Sequence, residues 1–110
     1  MQISARRVDT TMIFDVVGDI DLANSPQIRK AVLHEIREEH TPKVVMNLTK
    51  VRYIDSSGVA SLVEGLKASR DAGTRFILFG LSPAAREVLQ LSRLLKIFEV
   101  HDNEEQALTS

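Results

Sequence analysis

The sequence predicts an α/β domain in which a mostly parallel sheet of four or five strands packs against about four helices. Short apolar runs such as "KVVMNL" and "RFILFG" alternate with longer segments that carry apolar residues at helical spacing. Strands that alternate with helices are joined by right-handed crossovers, which produce a parallel sheet. The first 17 residues instead hold two adjacent strand-like runs, so the N-terminal strand is expected to pair antiparallel with the second.

Length and composition predict a single domain over residues 1–110. A chain of 110 residues with 44% hydrophobic and 26% charged residues has enough apolar side chains for one core and enough charge for solubility. The absence of cysteine excludes a disulfide framework, a thiol nucleophile and a thiolate metal site. No metal or cofactor site is predicted.

Net charge and hydropathy limit the kinds of partner. The formal net charge of −1 gives no overall attraction to nucleic acid or to anionic membranes, so we expect no direct nucleic-acid binding. The N-terminus lacks the apolar run of a signal peptide, and no apolar stretch approaches the roughly 18–20 residues that span a bilayer. A cytoplasmic protein without membrane insertion is therefore expected, and it should recognise its partners through a local surface.

The N-terminal half begins with two strands around a polar turn at Asp9 and Thr10. The second strand shows the alternation of a half-buried strand, with Met12, Phe14 and Val16 on one face and Thr11, Ile13 and Asp15 on the other. A helix is then predicted with Ser25 as N-cap and Pro26 at its first position. Its core face comprises Ile28, Ala31, Val32 and Ile36, and its water-facing residues include Arg29, Lys30, Glu35 and Arg37.

In the second half, "KVVMNL" predicts a buried strand and "DSSG" leads into a second helix. Its apolar stripe comprises Val59, Leu62, Val63 and Leu66, with Ser61 off the stripe, and Gly73 ends it in a left-handed conformation. "RFILFG" is a further strand. The third helix has Ser82 as N-cap, Pro83 first, and Val88 and Leu89 facing inwards. "KIFEV" predicts a last strand and "NEEQALTS" a terminal helix or a frayed tail. Helices on so short a chain should cover the sheet incompletely.

Two loops contain most of the residues suited to binding or chemistry. "GDIDLANS" carries Asp19, Asp21 and Asn24, and the other loop is Asp55-Ser56-Ser57-Gly58. In a parallel sheet every loop from a strand to the next helix emerges at the carboxyl ends of the strands, where ligand sites are common. If the strands at 12–17 and 44–48 are neighbours, these two loops lie side by side.

Ser56 and Ser57 are predicted at or just inside the N-terminus of a helix. Such a position favours an anion by roughly 0.3–1 kcal/mol when exposed, so the fold would tolerate a phosphate on Ser56. The phosphate would add a charge of about −1.5 to −2 beside Asp55 and so reverse the fit to a partner. Gly58 is expected to let another backbone approach the hydroxyl closely. A serine or aspartate here also serves simply as a helix cap, so Ser56 is both a cap and a modification candidate.

The sequence resembles the STAS domain family, and specifically the bacterial anti-sigma factor antagonists. The resemblance covers nearly the whole chain: "GDID" in the first loop, "NLTKVRYIDSSG", "LSP" before the third helix, and "LLKIF" near the end. Each motif is weak alone, but together, in order and at family spacing, they are specific. One departure is Gly58-Val59-Ala60, where family members often have "GLG"; the alanine places a methyl group on the first turn, which bears on partner identity.

The resemblance implies a regulator that is not an enzyme. In the family, the serine corresponding to Ser56 is phosphorylated by an anti-sigma factor that is also a serine kinase with a histidine-kinase-like ATPase fold. The unphosphorylated antagonist binds this kinase and frees the sigma factor, and a PP2C-type phosphatase removes the phosphate. The binding surface implied here comprises Asp19, Asp21, Asn24, Asp55, Ser57, Gly58 and Ser61, with Ser57 as the alternative phosphorylation site.

Other functions fit the residues less well. A serine hydrolase is disfavoured because no G-x-S-x-G elbow is present and neither His34 nor His40 should reach Ser56. A receiver-like domain would make Asp55 the phosphoacceptor, but Lys96 lies at the wrong end of its strand. A regulatory domain of a membrane transporter, a role of some STAS relatives, also stays open.

Overall fold

The computed structural model describes all 110 residues, with strands and helices in the predicted order. The strands are β1 (Gln2–Val8), β2 (Thr11–Val17), β3 (Lys43–Lys50), β4 (Arg75–Phe79) and β5 (Glu99–His101). The helices are α1 (Ser25–Arg37), α2 (Ser56–Ala72), α3 (Pro83–Leu91) and α4 (Glu104–Thr109), and a 3-10 helix spans Leu95–Ile97. The predicted fold class is confirmed, and the C-terminal segment is a helix.

The five strands form one sheet in the order β1-β2-β3-β4-β5. β1 is antiparallel to β2, and all other neighbours are parallel. Since each crossover adds the next strand on the same side and has the same hand, α1, α2 and α3 pack on one face of the sheet, here called the front face. Only α4 packs on the opposite, back face. No helix combines the length and apolar character needed to cross a bilayer.

Burial differs sharply between the two faces. On the front, a core of 20 buried residues includes Ile28 and Val32 of α1 and Leu62 of α2. On the back, α4 covers a smaller cluster with its buried Ala107, above the strand residues Ile13, Val45, Ile77 and Phe79. The half-buried prediction for β2 was wrong at Ile13, because α4 closes over it and leaves it fully buried.

Helix caps account for several of the helix termini. Gly73 ends α2 with φ of 74°, as predicted, and the Ser82 hydroxyl accepts a hydrogen bond from the Ala85 N–H at 3.1 Å to cap α3. The predicted cap of α1 was wrong: Ser25 is already helical, and the N-cap position belongs to Asn24. The Ser25 N–H is instead bound at 2.8 Å by the backbone carbonyl of Asp21.

Two polar residues of the helices are buried where the sequence placed them towards water. Glu35 is 5% exposed because its Oε1 accepts hydrogen bonds from the Thr41 hydroxyl at 2.8 Å and from Arg7 at 2.6 Å. Ser61 is 7% exposed, since its hydroxyl faces the N-terminus of α1. In each case one partner belongs to another element: Arg7 of β1 binds Glu35, and Ser25 of α1 accepts from Ser61.

The third helix and the segment after it also differ from prediction. Val88 is only half-buried, whereas Leu89 is fully buried. "KIFEV" contributes only Glu99 and Val100 to β5, because Leu95–Ile97 forms a 3-10 turn. Phe98 packs against Phe76 of β4 with ring centroids 6.5 Å apart, so the apolar character of this segment serves the core rather than strand pairing.

Candidate functional site

The loops after β2 and β3 lie side by side, as predicted from their position at the carboxyl edge of the sheet. Their backbones continue to pair beyond the strands: Ile20 forms a parallel bridge with Ile54. The Ile20 N–H donates to the Tyr53 carbonyl, and the Asp55 N–H donates to the Ile20 carbonyl, both at 3.0 Å. The two loops are therefore one backbone-paired unit.

Asp55 joins the two loops through both of its carboxylate oxygens. Oδ1 accepts from the Gly58 N–H at 2.9 Å and caps α2, and Oδ2 accepts from the Leu22 N–H at 3.1 Å. Asp55, and not Ser56, is thus the helix cap. Because Asp55 accepts the hydrogen bond of the Gly58 N–H, the Ser56 side chain is not needed as a helix cap.

Within the β2–α1 loop, Asp21 and Asn24 hold each other in place. Asp21 Oδ1 accepts from the N–H groups of Ala23 at 3.0 Å and Asn24 at 3.2 Å, while Asn24 Oδ1 accepts from the Asp21 N–H at 2.9 Å. The Asn24 Nδ2 also donates to the Asp19 carbonyl at 2.9 Å. The half-buried Asp19 carboxylate makes no hydrogen bond within the protein. Asp21 and Asn24 therefore shape the loop, and the Asp19 carboxylate takes no part in holding it together.

The three serines at the start of α2 differ in accessibility. Neither the Ser56 hydroxyl nor the Ser57 hydroxyl has a hydrogen-bond partner within the protein, but Ser56 is exposed whereas Ser57 is half-buried. The buried Ser61 donates at 3.2 Å towards the carbonyls of Ser25 and Ser57. Ser61 thus links α1 to α2 from inside, and Ser56 is the one of the three serines that is exposed, with a free hydroxyl at the positive end of α2.

Gly58 faces the core of its own protein. A Cβ at this position would lie 2.7 Å from Cγ2 of Ile54 and 2.8 Å from both Cγ2 and the carbonyl oxygen of Ile20. The expectation that Gly58 admits a second backbone near the serine is corrected accordingly: the glycine makes room for the β2–α1 loop. It allows the two loops to approach each other closely.

Two exposed apolar side chains at this edge were missed by the sequence reasoning. Leu22 is 73% exposed and Tyr53 is 49% exposed. Leu22 also lines a shallow groove of about 230 Å³ between the N-terminal halves of α1 and α2, together with Ser25, Pro26, Arg29, Ser57, Ala60, Ser61 and Glu64. A large apolar residue in an otherwise polar loop is the signal that would have found Leu22. No group of three His, Asp or Glu side chains is arranged to hold a metal ion.

Comparison with known proteins agrees with the fold and with the motifs. The sequence matches the STAS domain family over residues 2–107. It is 30% identical over 105 residues to the anti-sigma-B factor antagonist of Listeria monocytogenes, covering 94% of this chain and 90% of that one. The crystal structure of a Thermotoga maritima protein superposes with a TM-score of 0.91 at 24% identity, covering 97% and 92% of the two chains. The phosphorylated form of the Bacillus cell fate determinant SpoIIAA gives a TM-score of 0.77 at 25% identity, covering 98% and 97%.

Proposed function

The chain belongs to the STAS domain family, and from that premise we propose that it is an anti-sigma factor antagonist switched by phosphorylation of Ser56. The similar Listeria protein is named as an anti-sigma-B factor antagonist, and the similar Bacillus protein has been solved in a phosphorylated form. We further propose that residues 1–110 form one cytoplasmic STAS domain, which is a substrate of a kinase and not itself an enzyme.

The free hydroxyl of Ser56 is the observation that carries this proposal. Ser56 is exposed at the first position of α2, and Asp55 already caps the helix. A phosphate on Ser56 therefore costs the fold no hydrogen bond, and the helix N-terminus favours its charge. Ser57, the alternative acceptor, is half-buried and lines the groove beside α1.

The chemical step is phosphoryl transfer from ATP bound to the partner kinase. Ser56 Oγ forms the new O–P bond to the γ-phosphorus as the bond to ADP breaks, and the hydroxyl proton passes to a base of the kinase. The product carries about −1.5 to −2 of additional charge beside Asp55. That charge repels any partner that fits the unmodified edge, so the phosphorylated antagonist dissociates and the sigma factor is recaptured. Hydrolysis by a PP2C-type phosphatase restores Ser56.

The proposed contact surface is the exposed part of the paired loops. Asp19 has a free carboxylate for a cationic group of the kinase, and Ser57 lies in the groove next to Ser56. Asp21, Asn24 and Asp55 fix the backbone of the surface, whereas Gly58 and Ser61 support it from inside through packing and the hydrogen bonds of Ser61. We thus assign direct contact with the kinase to Asp19 and Ser57, fixation of the loop backbone to Asp21, Asn24 and Asp55, and internal support to Gly58 and Ser61.

The proposal is tested by incubating the protein with ATP and the candidate anti-sigma factor kinase of the same genome, and mapping phosphate by mass spectrometry. We expect phosphate on Ser56, its loss in Ser56→Ala, and its retention in the neighbouring control Ser57→Ala. Ser56→Ala should change the free energy of unfolding by less than about 0.5 kcal/mol, since the side chain has no partner in the fold. An acid-labile phosphate on Asp55 would contradict the proposal. So would the absence of phosphorylation together with co-purification with a membrane permease, as a transporter subunit would show.

A further inference from the structure

Leu22 is a large apolar side chain displayed beside Ser56. It is 73% exposed, and its neighbours in the loop are the acidic Asp21 and the small Ala23. Scattered exposed leucines are common on protein surfaces and need no explanation by themselves. Leu22 differs because its own backbone N–H is bound by Asp55, the residue directly before Ser56.

The conformation of the loop keeps the Leu22 side chain in solvent. The Asp55 carboxylate fixes the backbone on one side, and the hydrogen bonds between Asp21 and Asn24 fix it on the other. The leucine therefore has little freedom to fold back onto the core. A loop whose backbone is already fixed loses little conformational entropy when a partner covers it, which lowers the cost of binding through Leu22.

The surroundings of Leu22 define what would cover it. The adjoining groove has Pro26 and Ala60 on its walls, and it is lined further along by Arg29 and Glu64, whose side chains pair at 3.7 Å. Three serines line much of the rest of the groove, and its two charged side chains have opposite signs, so the groove beside Leu22 carries no net charge. The free Asp19 carboxylate belongs to the same loop.

We propose that Leu22 is the apolar anchor by which the kinase recognises this chain, and that it determines partner specificity. The inference rests on the proposed function, and it names the chemistry of the partner surface: an apolar pocket for Leu22 with a cationic group at its rim for Asp19. The methyl group of Ala60 extends the same apolar surface on α2. Leu22 takes no part in phosphoryl transfer, because its contribution is to binding.

The test is a kinetic comparison of two leucines with similar exposure. Leu22→Ser should raise KM for phosphorylation of Ser56 by about 10- to 100-fold with kcat nearly unchanged, because the buried apolar contact is lost while the chemistry is intact. Leu91→Ser is the matched control, since Leu91 is 76% exposed on α3, away from this edge. It should phosphorylate like the wild type. Leu22→Met, which keeps an apolar side chain of similar volume, should restore KM to within about threefold.

Equilibrium binding to the kinase, measured by titration calorimetry, should weaken in Leu22→Ser by the same factor as KM rises. A normal KM for Leu22→Ser, an equal defect in Leu91→Ser, or a defect in kcat alone would overturn the inference while leaving the proposed function in place. Failure of the wild-type chain to bind the kinase or be phosphorylated would overturn both.

Discussion

The carboxyl edge of the sheet and the back face are held together by different forces. At the edge, two loops are held against each other by backbone pairing and by the two hydrogen bonds that the Asp55 carboxylate accepts. On the back, the six-residue α4 lies over four apolar strand residues and buries only Ala107 completely. Its ends are tied by side chains: Arg6 pairs with Glu104, Lys43 donates to the Leu108 carbonyl at 3.3 Å, and Arg75 donates to the Ser110 carbonyl at 2.7 Å.

This difference indicates where the protein is rigid and where it opens. Exposed ion pairs contribute roughly 0–1 kcal/mol each to stability and are weakened by salt. By contrast, two buried backbone segments in close contact leave no space for an added atom. A helix of six residues is also not stable without its tertiary contacts. The candidate site is therefore expected to be the rigid region, and α4 the first to undock from the sheet.

The largest effect is expected for Gly58→Ala. The added methyl group would lie 2.8 Å from the Ile20 carbonyl, a backbone atom that cannot move without breaking the pairing of the two loops. We expect a loss of at least about 2–3 kcal/mol in the free energy of unfolding, measured by urea denaturation. Ala60→Gly, on the exposed side of the same helical turn, is the control and should cost only about 0.5–1 kcal/mol. Equal losses in the two variants would show that the loops are not closely apposed.

Removal of the Asp55 carboxylate should have an intermediate effect. Asp55→Ala leaves the N–H groups of Gly58 and Leu22 without their acceptors, which should cost about 1–2 kcal/mol and speed amide hydrogen exchange at both. Asp55→Asn keeps one carbonyl acceptor, so we expect protection to survive at one of the two amides only. If exchange at Leu22 is unchanged in Asp55→Ala, the aspartate does not brace the loop.

The smallest effect is expected on the back face, from Arg6→Ala. Hydrogen bonds from Arg6 hold the pKa values of Glu104 and Asp15 below their usual ranges. The unfolded chain therefore binds more protons in acid, so this stabilisation is present at neutral pH and is lost as pH falls through the folded-state pKa values. Wild-type protein should lose more stability than Arg6→Ala between about pH 5 and pH 2, by less than about 1 kcal/mol per pair.

The corresponding local measurement is amide exchange in α4. Arg6→Ala should raise exchange across Glu104–Thr109 and leave Leu22 and Gly58 protected, and added salt should produce the same pattern in the wild type. Comparable loosening of the carboxyl edge in Arg6→Ala would contradict the separation of the two regions.

The sequence was sufficient for features that depend on local patterns. The succession of strands and helices along the chain followed from alternating apolar runs, and the end of α2 and the start of α3 followed from Gly73 and Ser82. It failed where a distant residue decides the outcome. Glu35 is buried because Arg7 and Thr41 reach it, and Ile13 because α4 covers the back of the sheet. Neither contact leaves a periodic signal along the chain.

At the candidate site, too, the sequence predicted the features set by local patterns but not those set by distant contacts. The meeting of the two loops was predicted from the common direction of parallel strands. The distribution of roles was not, because it depends on which carboxylate oxygen binds which N–H: Asp55 caps α2, Asp21 and Asn24 shape the neighbouring loop, and Ser56 stays free. The exposure of Leu22 likewise follows from the loop conformation and not from its residue type.

The central claim, that phosphate on Ser56 ends partner binding while the fold persists, is tested most directly by titration calorimetry against the kinase. Unmodified protein and Ser56→Ala should bind with similar affinity, and protein phosphorylated stoichiometrically on Ser56 should bind at least tenfold more weakly with an unchanged circular dichroism spectrum. Equal affinity of the phosphorylated and unmodified forms, or unfolding on phosphorylation, would contradict the claim.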